Sequence, residues 1–217
     1  MKAEGLCAVY GASGSGRGVA PILEESLSDE GLDKLIFVDD GCHGKEINGL
    51  PVWSYEKFVA AGQDRKSVII AIADGKVRER LALRCEADNI PFCSVVAKQH
   101  VRMKDVSIGE GAIFSPFTTL TSNIRIGRHF HCNIGSYVEH DCIIGDFVTF
   151  APGVKCNGNI HIDDHVYIGA GAVLRQGTPE KPMRIGRGAT IGMGAVVTKD
   201  VAPGAIVVGN PAKQLSG

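Results

Sequence analysis

The chain has 217 residues, of which 28 are glycine, and its 23 Lys and Arg residues nearly balance its 24 Asp and Glu residues. A hydrophobic fraction of 44% excludes a wholly disordered chain, and the balanced charge excludes the basic surface that nucleic-acid-binding proteins present. No apolar run reaches the length of about 18 residues that a membrane span needs, and the seven cysteines show no CxxC spacing. We therefore expect a cytoplasmic protein with neither a nucleic-acid nor a membrane partner.

The first hundred residues alternate between short apolar runs and helical patterns. Strands are predicted at Leu6–Tyr10, Leu35–Val38, Ser67–Ala73 and Pro91–Val96, and helices at Val19–Ser28, Tyr55–Ala60 and 77–87. Strands separated by helices favour a small parallel sheet built from βαβ units. This part of the chain is therefore predicted to be an α/β, Rossmann-like domain.

A glycine-rich turn, G11-A-S-G14-S-G16, lies between the first predicted strand and the first helix. Its N–H groups could hold a phosphate, although the GxxGxG pattern differs from the GxGxxG pattern of NAD-binding folds. Asp39 and Asp40 end the second strand, where carboxylates commonly meet a ribose or a base. The alternative is that these residues form a packing turn and a strand-end cap.

From Ile108 to Leu174 an apolar residue recurs every six residues, at twelve consecutive positions. The repeat slips between Arg175 and Arg184 and then resumes. A period of six fits neither an α-helix nor a long strand, but it is typical of a solenoid whose coil has three short strands. Glycine beside the apolar position supplies the sharp corners.

This six-residue repeat resembles that of the hexapeptide-repeat acyltransferases, whose domain is a left-handed parallel β-helix. The segment GTPEKPMR resembles the loop that these enzymes extrude, and GNPAK resembles their C-terminal signature. With the GASGSG turn, the whole chain resembles bacterial nucleotide-sugar acetyltransferases related to the sialic-acid O-acetyltransferases. The resemblance implies a nucleotide-sugar-binding βαβ domain over 1–104, a left-handed β-helix acetyltransferase domain over 105–217, and a homotrimer with active sites between subunits.

The spacing of the repeat predicts which residues are neighbours. Three hexads make one coil, so residues 18 apart stack one rung above another, at a separation of about 4.8 Å. His140 is therefore expected directly below Gly158, with Asn123, Asp141 and Asn159 in a polar column beside it.

The resemblance assigns His140 as the general base and Asp141 as the residue that orients its ring. A free imidazole, with a pKa of about 6.5, is largely neutral in the cytoplasm and can accept a proton. We expect direct transfer from acetyl-CoA to a sugar amine, with the Gly158 N–H stabilising the oxyanion.

The resemblance also implies two sets of binding residues. Those expected around the nucleotide-sugar are Gly11, Ser13, Gly14, Ser15, Asp39, Asp40, Ala73 and Asn133. Those expected at acetyl-CoA, the co-substrate, are Thr149, Gly158, Ala170, Met193, Gly194 and Lys213. Ser15 and Thr149 stand where better-known members carry histidine, which leaves the sugar and its nucleotide open.

No metal site is expected, since the remaining repeat-domain histidines do not converge within one chain. They are predicted to be exposed or interfacial: His129, His131, His161 and His165. Contacts between subunits could still assemble a zinc site of the γ-carbonic-anhydrase type. Three cysteines fall on inward-pointing repeat positions and are predicted to pack in the core: Cys132, Cys142 and Cys156.

The leading hypothesis is an acetyl-CoA-dependent N-acetyltransferase that acts on a nucleotide-linked amino-sugar of the 4-amino-4,6-dideoxy type, in surface polysaccharide biosynthesis. O-acetylation of a sugar such as sialic acid stays open, because a His–Asp pair could serve either acceptor. A non-catalytic nucleotide-sugar-binding trimer and a metal-dependent hydratase are the alternatives of other classes. The nucleotide could be UDP, GDP or dTDP.

Overall fold

The computed structural model describes residues 5–30, 34–62 and 65–215. Its N-terminal part is an α/β unit whose elements, in chain order, are β1 (Gly5–Tyr10), α1 (Gly14–Glu30), β2 (Lys34–Val38), β3 (Glu46–Ile47), β4 (Leu50–Trp53), α2 (Tyr55–Ala60), β5 (Arg65–Ile70) and α3 (Gly75–Ala87). The sheet order is β3-β4-β2-β1-β5, and every pair except β3–β4 is parallel. The predicted Rossmann-like arrangement is confirmed.

Three details of this unit differ from the prediction. Helix α1 begins at Gly14 and not at Val19, so the glycine-rich turn forms its first turn. The predicted loop before α2 contains the β3–β4 hairpin, whose two-residue turn is Asn48-Gly49, with φ angles of 49° and 80°. Such a turn matches the twist of the flanking strands when both of its residues have positive φ, which Asn-Gly adopts readily.

The predicted strand Pro91–Val96 is wrong as a fourth strand of the sheet. Among the described residues, only an isolated bridge joins Phe92 to Val68 of β5. Val95–Val96 instead pairs with Ile113–Phe114, as part of the second unit. That unit thus draws on strands before residue 105, and the domain division at 104 and 105 stays a prediction.

The second unit is a parallel β-helix with three faces. Strands of the first face are Val95–Val96, Ile113–Phe114, His131–Cys132, Thr149–Phe150, Tyr167–Ile168, Thr190–Ile191, Ile206–Val208 and Lys213–Gln214. Those of the second face are Val101–Arg102, Thr119–Leu120, Tyr137–Val138, Lys155–Cys156, Val173–Leu174 and Val196–Val197. Those of the third are Val106–Ile108, Ile124–Ile126, Ile143–Ile144, Ile160–Ile162 and Met183–Ile185.

The strand register confirms the predicted coil length. His131 pairs with Thr149 and Thr149 with Tyr167, each partner 18 positions further along the chain. Ile160 pairs with Met183, so the coil that contains the slip is five residues longer and extrudes the segment 175–182. The inward side chains form one apolar column in which Cys132, Cys142 and Cys156 are fully buried, as predicted.

Three corners join the faces, and they are named here by the faces that they connect. The first corner, between the first and second faces, holds residues 115–118, 133–136, 151–154, 169–172 and 192–195. The second corner, between the second and third faces, holds 121–123, 139–142, 157–159, 175–182 and 198–200. The third corner, between the third and first faces, holds 109–112, 127–130, 145–148, 163–166 and 186–189.

A buried arginine joins the two units. Arg78 of α3 is fully buried, and its Nε donates to the carbonyl oxygen of His129 at 3.0 Å. Its other nitrogens donate to the carbonyl oxygens of Ile72 at 2.6 Å and Val148 at 3.2 Å. Because its donors reach carbonyls of both units, Arg78 fixes the α/β unit against the third corner of the β-helix.

The third corner also contributes an apolar side chain to the α/β unit, because Phe147 belongs to the cluster that contains Tyr55 and Phe58 of α2. His129 and Phe147 stack with ring centroids 5.0 Å apart, and Phe147 and His165 stack at 5.5 Å. His129 is completely buried, and burial lowers its pKa to about 3, with the nearby charges of Arg128 and Arg78 acting in the same direction.

None of the described helices combines the length and the apolar character that crossing a membrane requires.

Candidate active site

His140 and Asp141 lie at the second corner, directly after the strand Tyr137–Val138. Nδ1 of His140 lies 2.8 Å from Oδ2 of Asp141, and the Asn123 amide donates to Oδ1 of Asp141 at 3.1 Å. The hydrogen bonds from His140 and Asn123 hold the pKa of Asp141 below its usual value. Asp141 is therefore an ionised acceptor, which places the ring proton of a neutral His140 on Nδ1 and leaves Nε2 able to accept a proton.

The position one rung above His140 has no side chain, as the 18-residue spacing predicts. A Cβ added to Gly158 would lie 2.5 Å from Cε1 and 2.6 Å from Nε2 of the His140 ring. Among the described residues, the Gly158 N–H donates to no backbone carbonyl. The His140 ring therefore packs directly against the bare backbone of Gly158, whose N–H has no backbone acceptor and is a candidate donor to a developing negative charge.

The His140–Asp141 pair is open to solvent in a single chain. Its side chains are 54% and 46% exposed, respectively. Catalytic pairs of this kind usually lie in a water-excluding cleft. The chain by itself thus supplies one wall of a site and not an enclosed pocket.

A cavity of about 410 Å³ lies elsewhere, between the first turns of α1 and the first corner of the β-helix. Its lining includes five residues that the sequence assigned to the two substrates: Gly14, Ser15, Ala73, Asn133 and Thr149. The structure therefore brings together residues from both units that are more than a hundred positions apart. Contact of each of them with a substrate stays a prediction.

The glycine-rich turn is tightly held beside this cavity. The Ala12 N–H donates to Oδ2 of Asp39 at 3.0 Å. The backbone carbonyl of Ser13, just before α1, accepts from the Arg17 N–H at 3.0 Å. Gly11 has a φ of +106°, and a Cβ on Gly16 would overlap the Gly11 carbonyl oxygen. The turn needs glycine at these two positions because the backbone crosses itself there.

Asp39 and Asp40 lie at the end of β2, but their carboxylate oxygens accept hydrogen bonds from within the chain. Asp39 accepts from the Gly41 N–H at 3.0 Å as well as from Ala12. Asp40 accepts from the Tyr55 N–H at 2.8 Å and from Arg84 at 2.9 Å. Desolvation opposes ionisation of Asp40, yet these two hydrogen bonds keep its pKa lowered. The structure shows the strand-end caps that were the alternative interpretation, and a contact with a ribose or base stays a prediction.

The residues predicted to contact acetyl-CoA do not converge in one chain. Ala170 and Gly194 lie on adjacent rungs of the first corner, where the Gly194 N–H donates to the Ala170 carbonyl at 2.8 Å. Met193 beside them is 82% exposed. Gly158 lies at the second corner, and Lys213 lies in the strand Lys213–Gln214 near the C-terminal end.

Thr149 is committed to the contact between the two units. It is buried, and its hydroxyl donates to the Ala73 carbonyl at 2.8 Å and accepts from Arg78 at 3.0 Å. Because the hydroxyl already donates one hydrogen bond and accepts another, Thr149 offers a ligand little besides its methyl group. The predicted contact of Thr149 with acetyl-CoA therefore finds no free hydroxyl in this arrangement.

The prediction that His129 and His131 would be exposed or lie between subunits is wrong, because both side chains are buried within a single chain. His131 lies on the first face, lines the cavity and is 6% exposed. Burial lowers its pKa well below the ordinary value, so the ring is neutral. Both histidines lie in the contact between the two units of the same chain. His131 was missed as a cavity residue, although its place just before inward-pointing Cys132 indicates an outward direction.

Comparisons with known proteins agree with this architecture. Residues 7–85 match the family model described as the PglD N-terminal domain. Over 212 residues, the chain is 47% identical to a GDP-perosamine N-acetyltransferase from Escherichia coli O157:H7, with 97% of this chain and 96% of that protein covered. The chain belongs to the nucleotide-sugar N-acetyltransferase family. This family member is thus an acyltransferase.

Two solved structures extend the likeness to the whole fold. WeeI from Acinetobacter baumannii AYE is 54% identical, with a TM-score of 0.95 and coverage of 97% of this chain and 100% of that one. The acetyltransferase domain of PglB from Neisseria gonorrhoeae FA1090, solved with acetyl coenzyme A, is 26% identical, with a TM-score of 0.87 and coverage of 97% and 98%. Among the residues that the structure describes, no group of three or more His, Cys, Asp or Glu side chains could hold a metal ion.

Proposed function

We propose that the protein transfers the acetyl group of acetyl-CoA to the amino group of GDP-perosamine, a nucleotide-linked 4-amino-4,6-dideoxy sugar. The 47% identity to the Escherichia coli GDP-perosamine N-acetyltransferase over nearly the full length of both proteins supports this substrate. The observation that carries the chemistry is the His140 ring, held by Asp141 on one side and facing the bare backbone of Gly158 on the other. We place the reaction in the cytoplasm, where acetyl-CoA is available.

His140 acts as the general base in this proposal. Its Nε2 accepts a proton from the sugar amine as the amine nitrogen attacks the thioester carbonyl. The Gly158 N–H stabilises the negative charge on the carbonyl oxygen, and Asp141 stabilises the imidazolium that forms. The C–S bond then breaks, and His140 returns the proton to the CoA thiolate, which gives the amide and free CoA.

The complete site requires a second copy of the chain. His140 lies at the second corner and Asn133 at the first, in the same coil, with the strand Tyr137–Val138 of the second face between them. The base and the cavity therefore face away from each other in one chain. Pairing the second corner of one subunit with the first corner of the next brings them together, and three subunits close the arrangement.

The surface of the first corner supports this homotrimer. Large apolar side chains are exposed along it: Phe117 at 69%, Ile134 at 53% and Met193 at 82%. A row of exposed apolar side chains is typical of a surface that a partner covers. The neighbour's second corner would bury this row and exclude water from the half-exposed His140.

The test is turnover with a panel of amino-sugars. Purified protein is incubated with acetyl-CoA and with UDP-, GDP- or dTDP-linked 4-amino-4,6-dideoxy sugars, and free thiol is followed, with the His140→Ala variant as the control. We expect release with GDP-perosamine in the wild type and a product that resists hydroxylamine, since an amide does so and an ester does not. A hydroxylamine-labile product, or turnover only with sialic acid, indicates O-acetylation instead. Absence of both turnover and acetyl-CoA binding overturns the proposal.

A further inference from the structure

The peptide unit that joins Asn157 to Gly158 carries the N–H to which the proposed function assigns the developing negative charge. A peptide unit is planar and trans, so its carbonyl and its N–H point in opposite directions. The direction of the Gly158 N–H is therefore decided by whatever holds the Asn157 carbonyl. Because glycine has no Cβ, rotation of this plane meets little steric resistance, and a Cβ here would collide with the His140 ring.

A buried thiol lies against that carbonyl. Sγ of Cys142 is 3.2 Å from the Asn157 carbonyl oxygen, and Cys142 is completely buried in the core of the β-helix. Since a carbonyl oxygen can only accept, the thiol is the donor. Sγ of Cys142 also lies 3.7 Å from the His140 carbonyl oxygen, but that oxygen already accepts from the Asn159 N–H at 2.9 Å. The thiol proton is therefore directed at the Asn157 carbonyl.

This contact is the principal hydrogen bond that the Asn157 carbonyl receives. In the part of the chain that the structure describes, no backbone N–H donates to it, and the other sulfur near it, that of Cys156, is 3.9 Å away. A buried carbonyl without a donor is costly, so the Cys142 thiol stabilises the inward direction of this carbonyl.

The groups on either side of the peptide plane are fixed by other contacts. The Asn157 side chain accepts from the Tyr137 hydroxyl at 2.9 Å and donates to the Leu174 carbonyl at 2.8 Å. The Gly158 carbonyl accepts from the Gly177 N–H at 3.0 Å. Rotation of the plane between these two anchored points is the motion that remains, and the thiol opposes it.

We propose that Cys142 is a positioning residue for acetyl transfer: its thiol draws the Asn157 carbonyl toward the core and so directs the Gly158 N–H outward, at the oxygen of the reacting thioester. The inference rests on the proposed function, which places that oxygen beside His140. Without the thiol, the plane could rotate, because water at the surface would serve the carbonyl, and the N–H would then turn toward the core. Cys142 thus acts on the site through the backbone and does not touch the substrate.

Three variants test the role of the thiol. Cys142→Ala removes the donor, Cys142→Ser keeps one as a hydroxyl, and Ile168→Val, which removes one methyl group at another fully buried core position, is the matched control. We expect Cys142→Ala to lower kcat by about tenfold with KM for both substrates unchanged, because an oxyanion donor acts only in the transition state. Cys142→Ser should recover most of that loss, and Ile168→Val should retain the wild-type kcat.

An unchanged kcat in Cys142→Ala overturns the inference. An equal loss in Ile168→Val does so too, since it would assign the effect to core packing, and an equal loss in Cys142→Ser would show that the thiol proton is not what matters.

Hydrogen exchange of the Gly158 amide, followed by NMR in the wild-type protein, needs neither a folded variant nor turnover. Exchange much faster than that of the hydrogen-bonded Asn159 amide supports an outward N–H, and equal protection of the two amides overturns the inference. The same amide should exchange more slowly in Cys142→Ala, where the N–H turns inward. If the wild type gives no turnover, the proposed function fails separately, and the exchange measurement still decides the positioning.

Discussion

Gly158 and His140 are in contact through backbone and ring, with no space for a Cβ between them: one added to Gly158 would lie 2.5 Å from Cε1 of the imidazole. We expect Gly158→Ala to push the half-exposed ring outward and lower kcat/KM by at least about tenfold, because a displacement of about 1 Å misaligns the base. The thermal midpoint should change little, since the ring can move into solvent. Gly62→Ala is the control, because nothing lies within 4 Å of its added Cβ. Equal activity in the two variants would contradict a catalytic role for this contact.

Removing the base, His140, should lower kcat more than replacing its partner, Asp141. His140→Ala should lower kcat by about 10²- to 10⁴-fold, the range typical of general-base catalysis. Asp141→Asn should lower it less, since the amide can still hold Nδ1 but no longer stabilises an imidazolium. Steady-state kinetics with acetyl-CoA and the amino-sugar measure both, with circular dichroism to check folding. A larger loss from Asp141→Asn than from His140→Ala would mean that the roles are misassigned.

The repeat explains why so much of this corner could be predicted. Each coil of the β-helix repeats the same backbone path, so counting 18 residues places Gly158 over His140 without any knowledge of side-chain packing. Asn123, Asp141 and Asn159 share the same left-handed conformation, with φ of 58°, 58° and 56°. Asparagine and aspartate tolerate that conformation better than other residues that have a Cβ, so their recurrence marks a corner.

The contact between the two units could not be predicted in this way. Arg78 lies in an amphipathic helix where any arginine suggests solvent, and it is buried only because His129 and Val148 present carbonyls to it from far along the chain. The run Pro91–Val96 has the local pattern of a strand, but which sheet it joins depends on competing tertiary pairings. The β3–β4 hairpin was predictable, because Asn48-Gly49 is a hairpin signal that the strand count overlooked.

Arg78→Met tests how the two units are held together. The substitution removes every hydrogen bond of the guanidinium. The carbonyl oxygens of His129 and Ile72 lose the donor described for them, whereas that of Val148 keeps the His131 N–H. We expect a loss of about 2–6 kcal/mol in the free energy of unfolding, because two buried carbonyl oxygens are left unpaired at roughly 1–3 kcal/mol each. Arg80→Met, an exposed change on the same helix, should cost less than about 0.5 kcal/mol. Urea denaturation followed by fluorescence measures both, and similar values for the two variants would show that Arg78 does not join the units.

Two buried histidines predict that stability falls in acid. Burial, reinforced by the charge of Arg78, lowers the pKa of His129 to about 3 and that of His131 well below its ordinary value. Since the unfolded chain binds protons at these sites from about pH 6.5 downward and the folded chain does not, the stabilisation is complete above that pH. It decreases as the pH falls toward 3, by up to about 1.4 kcal/mol per pH unit for each histidine.

The variant His129→Phe tests this pH dependence. Both ring nitrogens of His129 lack hydrogen-bond partners among the described residues, and its neighbours Phe147 and Phe92 lie at 5.0 Å and 4.5 Å. A phenyl ring therefore fits chemically, and it cannot be protonated. We expect the slope of unfolding free energy against pH, measured by urea denaturation between pH 6 and 4, to decrease by up to about 1.4 kcal/mol per pH unit, because one titrating group is gone. Phe92→Leu, which changes the packing and leaves the titration intact, should displace the wild-type curve downward without changing its slope. Parallel curves for the wild type and His129→Phe would assign the acid sensitivity to other groups.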